Sequence, residues 1–183
     1  MTLPLFADPG STAVFDGPYR YLLTRATGSG RGTALFVMLN PSTATEFDDD
    51  PTIAVCTGFA RRWGYARLHV VNLFAWMSTD PRGLRTASDP VGPRNNGFID
   101  AEVDAASIII AAWGVVPRPP KTATPFHPLR CREREVVERI TASIADPCHD
   151  LHCLAQNADG SPHHPLYLST SVTPVLYRAK VPR

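Results

Sequence analysis

The chain has 183 residues and a mass of 20.0 kDa, the size of a single domain with a proper buried core. Hydrophobic residues make up 44% and charged residues 19%, which excludes disordered and membrane-embedded classes. A net charge of +1 and a pI near 7.8 argue against a dedicated duplex-DNA binder and favour a small-molecule or nucleotide ligand, or transient nucleic-acid contact.

Residues 1–18 read as an irregular arm, and 19–183 as one α/β domain. MTLPLFADPG has neither a basic region nor a long apolar stretch, and no apolar run approaches the roughly 18 residues of a membrane span. The expectation is a cytoplasmic protein. YRYLLTRA (19–26) alternates as a strand and is followed by the turn GSGRG. TALFVML (33–39) is a continuous apolar run, the pattern of a strand buried on both faces. Asp50 as cap and Pro51 at the first helical position open a helix over 51–63, with Ile53, Cys56, Ala60 and Trp63 on one side and Gly64 closing it. A buried strand follows at 68–74. The next 20 residues (75–94) are too long for a plain connector and read as a functional loop.

A helix over 95–106, a strand over 107–112 and a proline-rich stretch bring the chain to a helix over 130–145, with Val136, Val137, Ile140 and Ile144 facing inward. A strand at 151–154 and a histidine loop leading to a short final element complete it. Alternating strands and helices imply a mostly parallel central sheet with helices on both faces, a three-layer α/β/α arrangement.

Four polar signatures fall at the ends of apolar runs: Asn40-Pro41-Ser42, Asn72-Leu73-Phe74, Trp113-Gly114 and His163-His164-Pro165. In an open α/β sheet such positions converge on one crevice. Each also has a structural reading. Asn40-Pro41-Ser42 makes an ordinary turn, though an Asn there can hold a water. Asn72 lies inside VVNLFAW, where a buried amide needs a partner; the backbone or a nucleobase edge can supply it. Trp113 reads as core packing or as a ring stacking on a flat ligand, a role Phe74 or Trp76 can also fill. His163 and His164 offer a positioned acid or anion stabiliser, with His164 favoured because it precedes Pro165.

No P-loop, G-x-G-x-x-G helix start or nucleophile elbow is present, so no cofactor and no covalent nucleophile are expected. Cys148-His149-Asp150-Leu151-His152-Cys153 carries metal donors, but its C-x4-C spacing is wider than that of a zinc knuckle, and no metal is expected. The run Asp48–Asp50 reads as a solvated stretch or a cap, with a base or metal ligand as the alternative.

FVMLNPSTA, DDPTIAVCTGFARRWGY, LHVVNLFAW, IIIAAWG and LHCLAQNADGSPHHPLYL together resemble the bacterial domain-of-unknown-function family 1643. More distantly, the order of the motifs is similar to the uracil-DNA glycosylase superfamily. LNPS resembles the Asn-Pro-Gly water-positioning motif of the mismatch-specific thymine/uracil glycosylases. VVNLF resembles the strand with the base-reading Asn, IIIAAWG the apolar Trp-Gly strand, and HHPLYL the His-Pro loop, without its usual Ser.

That resemblance implies a uracil-DNA glycosylase-like fold and an N-glycosidase-like hydrolase acting on a nucleobase in DNA or in a free nucleotide or nucleoside. It implies that Asn40 positions water, Asn72 reads the base, His164 stabilises the departing base, and Phe74 or another pocket aromatic stacks on the ring; Pro41, Ser42, Trp113 and His163 complete the expected substrate pocket. Two alternatives compete: a non-catalytic nucleotide- or nucleic-acid-binding module, and a metal-dependent enzyme using His149, His152, His163, His164 and Asp48–Asp50.

Overall fold

The computed structural model describes residues 10–125, 127–143 and 150–178. Seven strands form one sheet among these: β1 (Thr12–Asp16), β2 (Tyr19–Ala26), β3 (Thr33–Met38), β4 (Arg67–Asn72), β5 (Ile108–Ala111), β6 (Leu151–Cys153) and β7 (Val175–Leu176). Their spatial order is β1-β2-β4-β3-β5-β6-β7. Three α-helices join them: α1 (Pro51–Arg62), α2 (Asn95–Ala105) and α3 (Pro128–Ser143). No helix among the described residues is long and apolar enough to cross a membrane.

The sheet is mixed: its central strands are parallel, as expected, and its edges bring in antiparallel pairs. Four central strands, β4-β3-β5-β6, run parallel. β1 and β2 at one edge and β7 at the other are antiparallel to their neighbours. The switch follows the connections. A helix intervenes wherever parallel neighbours are made, because a parallel crossover needs a dozen or more residues. β1 joins β2 through a tight turn at Gly17-Pro18, and β7 returns from β6 without an α-helix, so both pair antiparallel.

β1 is itself a departure from the irregular arm expected over 1–18. Its residues are exposed or half-buried, so TAVFD carries no apolar alternation to read. It is held by the ladder and by a Thr12–Thr24 hydroxyl contact of 2.9 Å, neither of them visible in its own residues.

Every residue of β3 is buried, and alternate side chains feed two separate cores. Leu35 and Val37 pack with Ile99 and Val103 of α2 and with Val136 and Ile140 of α3. Ala34, Phe36 and Met38 pack with Ile53, Cys56, Phe59 and Ala60 of α1. Helices therefore cover both faces. Burying one such large apolar side chain contributes about 1.5–3 kcal/mol, so the two-sided core is what fixes the strand register.

α1 and α3 begin at side-chain caps. Asp50 accepts the Ile53 N–H at 2.9 Å, Pro51 occupies the first turn, and Arg61 and Arg62 sit at the negative end of α1's dipole. α3 starts two residues before its expected boundary because Pro128 suits a first turn and the His127 ring accepts the Leu129 N–H. Val136 and Ile140 are buried as expected and Val137 is half-buried; Ile144 lies outside the described residues.

Candidate active site

The carboxyl ends of β3, β4 and β5 lie side by side. Met38 is in register with Asn72, and Val37 with Ala111. The ladder continues past the strands through Leu73 N–H to Met38 C=O (2.7 Å), Phe74 N–H to Leu39 C=O (3.0 Å) and Ala112 N–H to Val37 C=O (2.9 Å). β3 leads to α1 on one face and β5 to α3 on the other, so the chain diverges between adjacent strands. This is the switch point at which open α/β sheets place a ligand crevice.

A cavity of about 330 Å³ opens there, and Asn40, Ser42, Asn72, Trp113 and His164 all line it. Residues more than a hundred positions apart in sequence are thus brought to one wall. Three of the expected contacts are not on the lining. Phe74 is fully buried in the core beneath α2 and α3. Pro41 is buried with its carbonyl accepting from both the Asn40 side chain and the Ser78 N–H. His163 is half-buried, its backbone N–H bonded to Ala155 C=O. Trp76 also stands apart, edge-on to Tyr19.

The Asn40 amide is oriented by its neighbours. Its Nδ2 donates to Pro41 C=O at 3.0 Å and to Ser78 C=O at 2.8 Å. Carbonyls accept only, so the nitrogen is fixed and Oδ1 remains as an acceptor with no donor among the described residues. The Ser78 N–H closes the clamp on Pro41 C=O at 2.9 Å. That clamp ties the loop after β3 to the 75–94 loop, which supplies Ser78, Thr79 and Pro81 to the cavity wall.

Asn72 is 1% exposed, and its Nδ2 has no partner among the described residues. Its own carbonyl accepts from Asn95 Nδ2 (3.0 Å); Leu73 C=O accepts from the same amide (3.1 Å) and from Arg132 Nε (2.7 Å). The backbone at the end of β4 is therefore stapled from α2 and α3 while the side chain above it is left unsatisfied. Burying an amide end this way costs free energy that a ligand can return.

Trp113 is both a core residue and part of the cavity lining. It packs in the core and edge-on against Tyr177 at 5.6 Å, and it lines the cavity with Nε1 unpartnered. Gly114 follows at φ +69, a left-handed conformation that only glycine adopts without strain, and a Cβ built on it would lie 3.5 Å from that of His164.

His164 caps a 3-10 turn at Pro165–Tyr167, its Nδ1 accepting the Leu166 N–H at 3.4 Å. That leaves the ring proton on Nε2. Burial holds the imidazole below its ordinary titration range, against a smaller opposing pull from Asp50. At neutral pH the ring is a neutral donor. Tyr167 stands at the mouth, its ring centroid 6.2 Å from that of His164.

The acidic run divides by role. Asp49 pairs with Arg25 at 2.7 Å, while Asp50 caps α1 and also lines the cavity. Among the described residues no three His, Cys, Asp or Glu side chains group as metal ligands; Cys148 and His149 lie outside them. Cys56, Cys131 and Cys153 are free thiols, and burial pushes that of Cys56 far up, so it is no nucleophile.

Sequence reasoning missed Arg20, Thr52, Thr79 and Tyr167 on the wall and the Asn95–Arg132 staple behind it. The available signal was arginine within YRYLLTRA, a strand otherwise apolar enough to be buried.

These features define a mixed α/β protein with a polar cavity over the carboxyl edge of its parallel strands. Residues 20–166 match the family described as protein of unknown function, DUF1643, and the chain belongs to that family. Comparison with curated proteins and with solved structures gives no match.

Proposed function

We propose that the chain is an N-glycosidase-like hydrolase that removes a nucleobase from a nucleotide, nucleoside or nucleic acid, in a three-layer fold akin to that of the uracil-DNA glycosylases. The observation that carries this reading is the convergence of Asn40, Asn72, Trp113 and His164 on one cavity. In the reaction, a water held on Asn40 Oδ1 attacks the anomeric carbon. The C–N bond breaks and its electron pair leaves with the base. The water oxygen forms the new bond to the sugar, and its proton passes to Asp50 or to solvent; the departing base is then protonated from solvent. Asn72 reads the base edge, Trp113 borders it, and neutral His164 donates from Nε2 to the anionic base as charge develops.

The test is base release from uracil-, hypoxanthine- and mismatch-containing DNA and from free nucleotides and nucleosides. Asn40→Ala and His164→Ala are expected to lower any release by about 100-fold or more, the cost of removing one positioned group. Unchanged release in either variant refutes the assigned role. The second reading, a module that binds without turnover, draws support from Asn40, whose amide is no base and serves also as a loop clamp. Ligand binding with no product formed decides for it.

A further inference from the structure

Among the described residues three arginines are buried, and they are not equivalent. Arg25 meets Asp49 at 2.7 Å, and Arg132 meets Glu135 at 2.8 Å. Arg20 is 2% exposed and has no ion-pair partner among the described residues. Its Nη1 donates to Ala44 C=O at 2.7 Å, and its Nε has no acceptor among the described residues. Burial lowers its pKa to about 10, so it stays cationic at neutral pH. Asp50 favours the charge at a distance, with no hydrogen bond or ion pair between the two among the described residues; its Oδ1 caps α1. Isolating a cation in this way costs several kcal/mol unless a counter-charge arrives.

Arg20 is the only Lys or Arg on the cavity wall among the described residues. The same wall carries two more unpartnered donors, Asn72 Nδ2 and Trp113 Nε1, and the hydroxyls of Ser42 and Thr52. The buried groups without partners on this wall are all donors, while its acceptors, Asn40 Oδ1 and the Asp50 carboxylate, line the same cavity; the unmet donors call for an acceptor-rich, anionic group on the Arg20 side. At about 330 Å³ the cavity is at the small end of ligand sites, and the net charge of +1 provides little to hold a polymer backbone.

We infer that Arg20 is the phosphate-binding residue of this cavity and that its ligand is a free nucleoside monophosphate. The base half of that assignment rests on the reading proposed above; the phosphate half rests on Arg20 alone. A phosphate oxygen accepts from Nε and supplies the charge that the fold withholds, while Asn72 takes the base edge.

The test is calorimetric titration of the full chain at pH 7 with inorganic phosphate, matched pairs (uridine and its monophosphate, inosine and its monophosphate) and a short single-stranded oligonucleotide. A monophosphate is expected to bind at least about tenfold tighter than its nucleoside, the ratio one charge-assisted contact supplies. Arg20→Met is expected to erase that ratio and Arg20→Lys to keep part of it. If Arg20→Met does not fold, the wild-type ratio and Arg20→Lys decide.

Equal binding of nucleoside and monophosphate, or a ratio that survives Arg20→Met in folded protein, overturns the phosphate assignment and leaves the base reading standing. Arg20-dependent binding of inorganic phosphate without nucleoside binding upholds the phosphate site and defeats the base reading. Preference for the oligonucleotide overturns the free-nucleotide ligand, and silence from every probe defeats both readings.

Discussion

Two cavities open at opposite ends of the parallel strands, and the proposed site is the smaller of them. The cavity at the amino end, bounded by Thr27, Gly30, Arg61 and Tyr65, has about 700 Å³ against about 330 Å³ at the carboxyl end. Yet at the larger one polar groups are matched to each other. Thr27 Oγ1 donates to Tyr65 C=O, Arg61 Nε to Thr27 C=O, and the Arg31 N–H to Gly64 C=O. At the smaller one Arg20 Nε, Asn72 Nδ2 and Trp113 Nε1 lack partners. Other buried polar atoms without partners lie elsewhere, around Asn95, Asn96, Arg132 and Arg139, but here three donors share the wall of an open cavity, which supports a ligand there. The larger cavity reads as a seam, and the smaller is the proposed site.

The contrast is sharpest under mutation. The largest effect is expected at the seam: a Cβ on Gly30 would sit 2.1 Å from Gly64 C=O, a backbone overlap that no rotamer relieves. Gly30→Ala should cost more than about 4 kcal/mol in urea unfolding, the range of severe single substitutions. Where folded protein is recovered, ligand binding at the other end should be unchanged. Asn95→Ala comes next. It strips the donor from Asn72 and Leu73 carbonyls, so a loss of about 1–3 kcal/mol is expected, with faster amide exchange at the end of β4.

Asn72→Ala should behave in the opposite sense. It removes an amide that is already unsatisfied, so stability should stay within about 1 kcal/mol of wild type while nucleobase binding is lost. If Asn72→Ala destabilises as much as Asn95→Ala, Asn72 is structural and the contrast between the two ends collapses.

The smallest effect is in pH. The folded pKa of His164 lies below its unfolded value near 6.5, chiefly through burial. Below pH 6.5 the unfolded chain therefore binds more protons than the folded one, and stability falls as pH falls through that window. His164→Gln should flatten this part of a stability-against-pH curve, leaving the profile above pH 7 unaltered.

The elements themselves were legible because local chemistry specifies them. β2 was read residue for residue from its alternation, and α1 was read to within one residue from the Asp50 cap, Pro51 and Gly64. β1 and β7 were not, because short strands with exposed residues are defined by the partner they pair with. For the site, Asn40, Asn72, Trp113 and His164 stood out as polar or aromatic residues at the ends of apolar runs. Phe74 stood out equally, yet it points into the core, since a strand's pleat decides which face each residue takes.

What the sequence by itself determined is therefore local: caps, strand runs, the two-sided burial of β3, and which residues leave the strand ends. Those properties depend on neighbours within a few positions. Tertiary structure alone decided which buried polar groups find partners. Arg20 and Arg25 lie five positions apart in one strand, and only the approach of Asp49 separates a neutralised arginine from one left facing a cavity. Charge satisfaction is a property of groups brought together across the fold, so no local pattern encodes it.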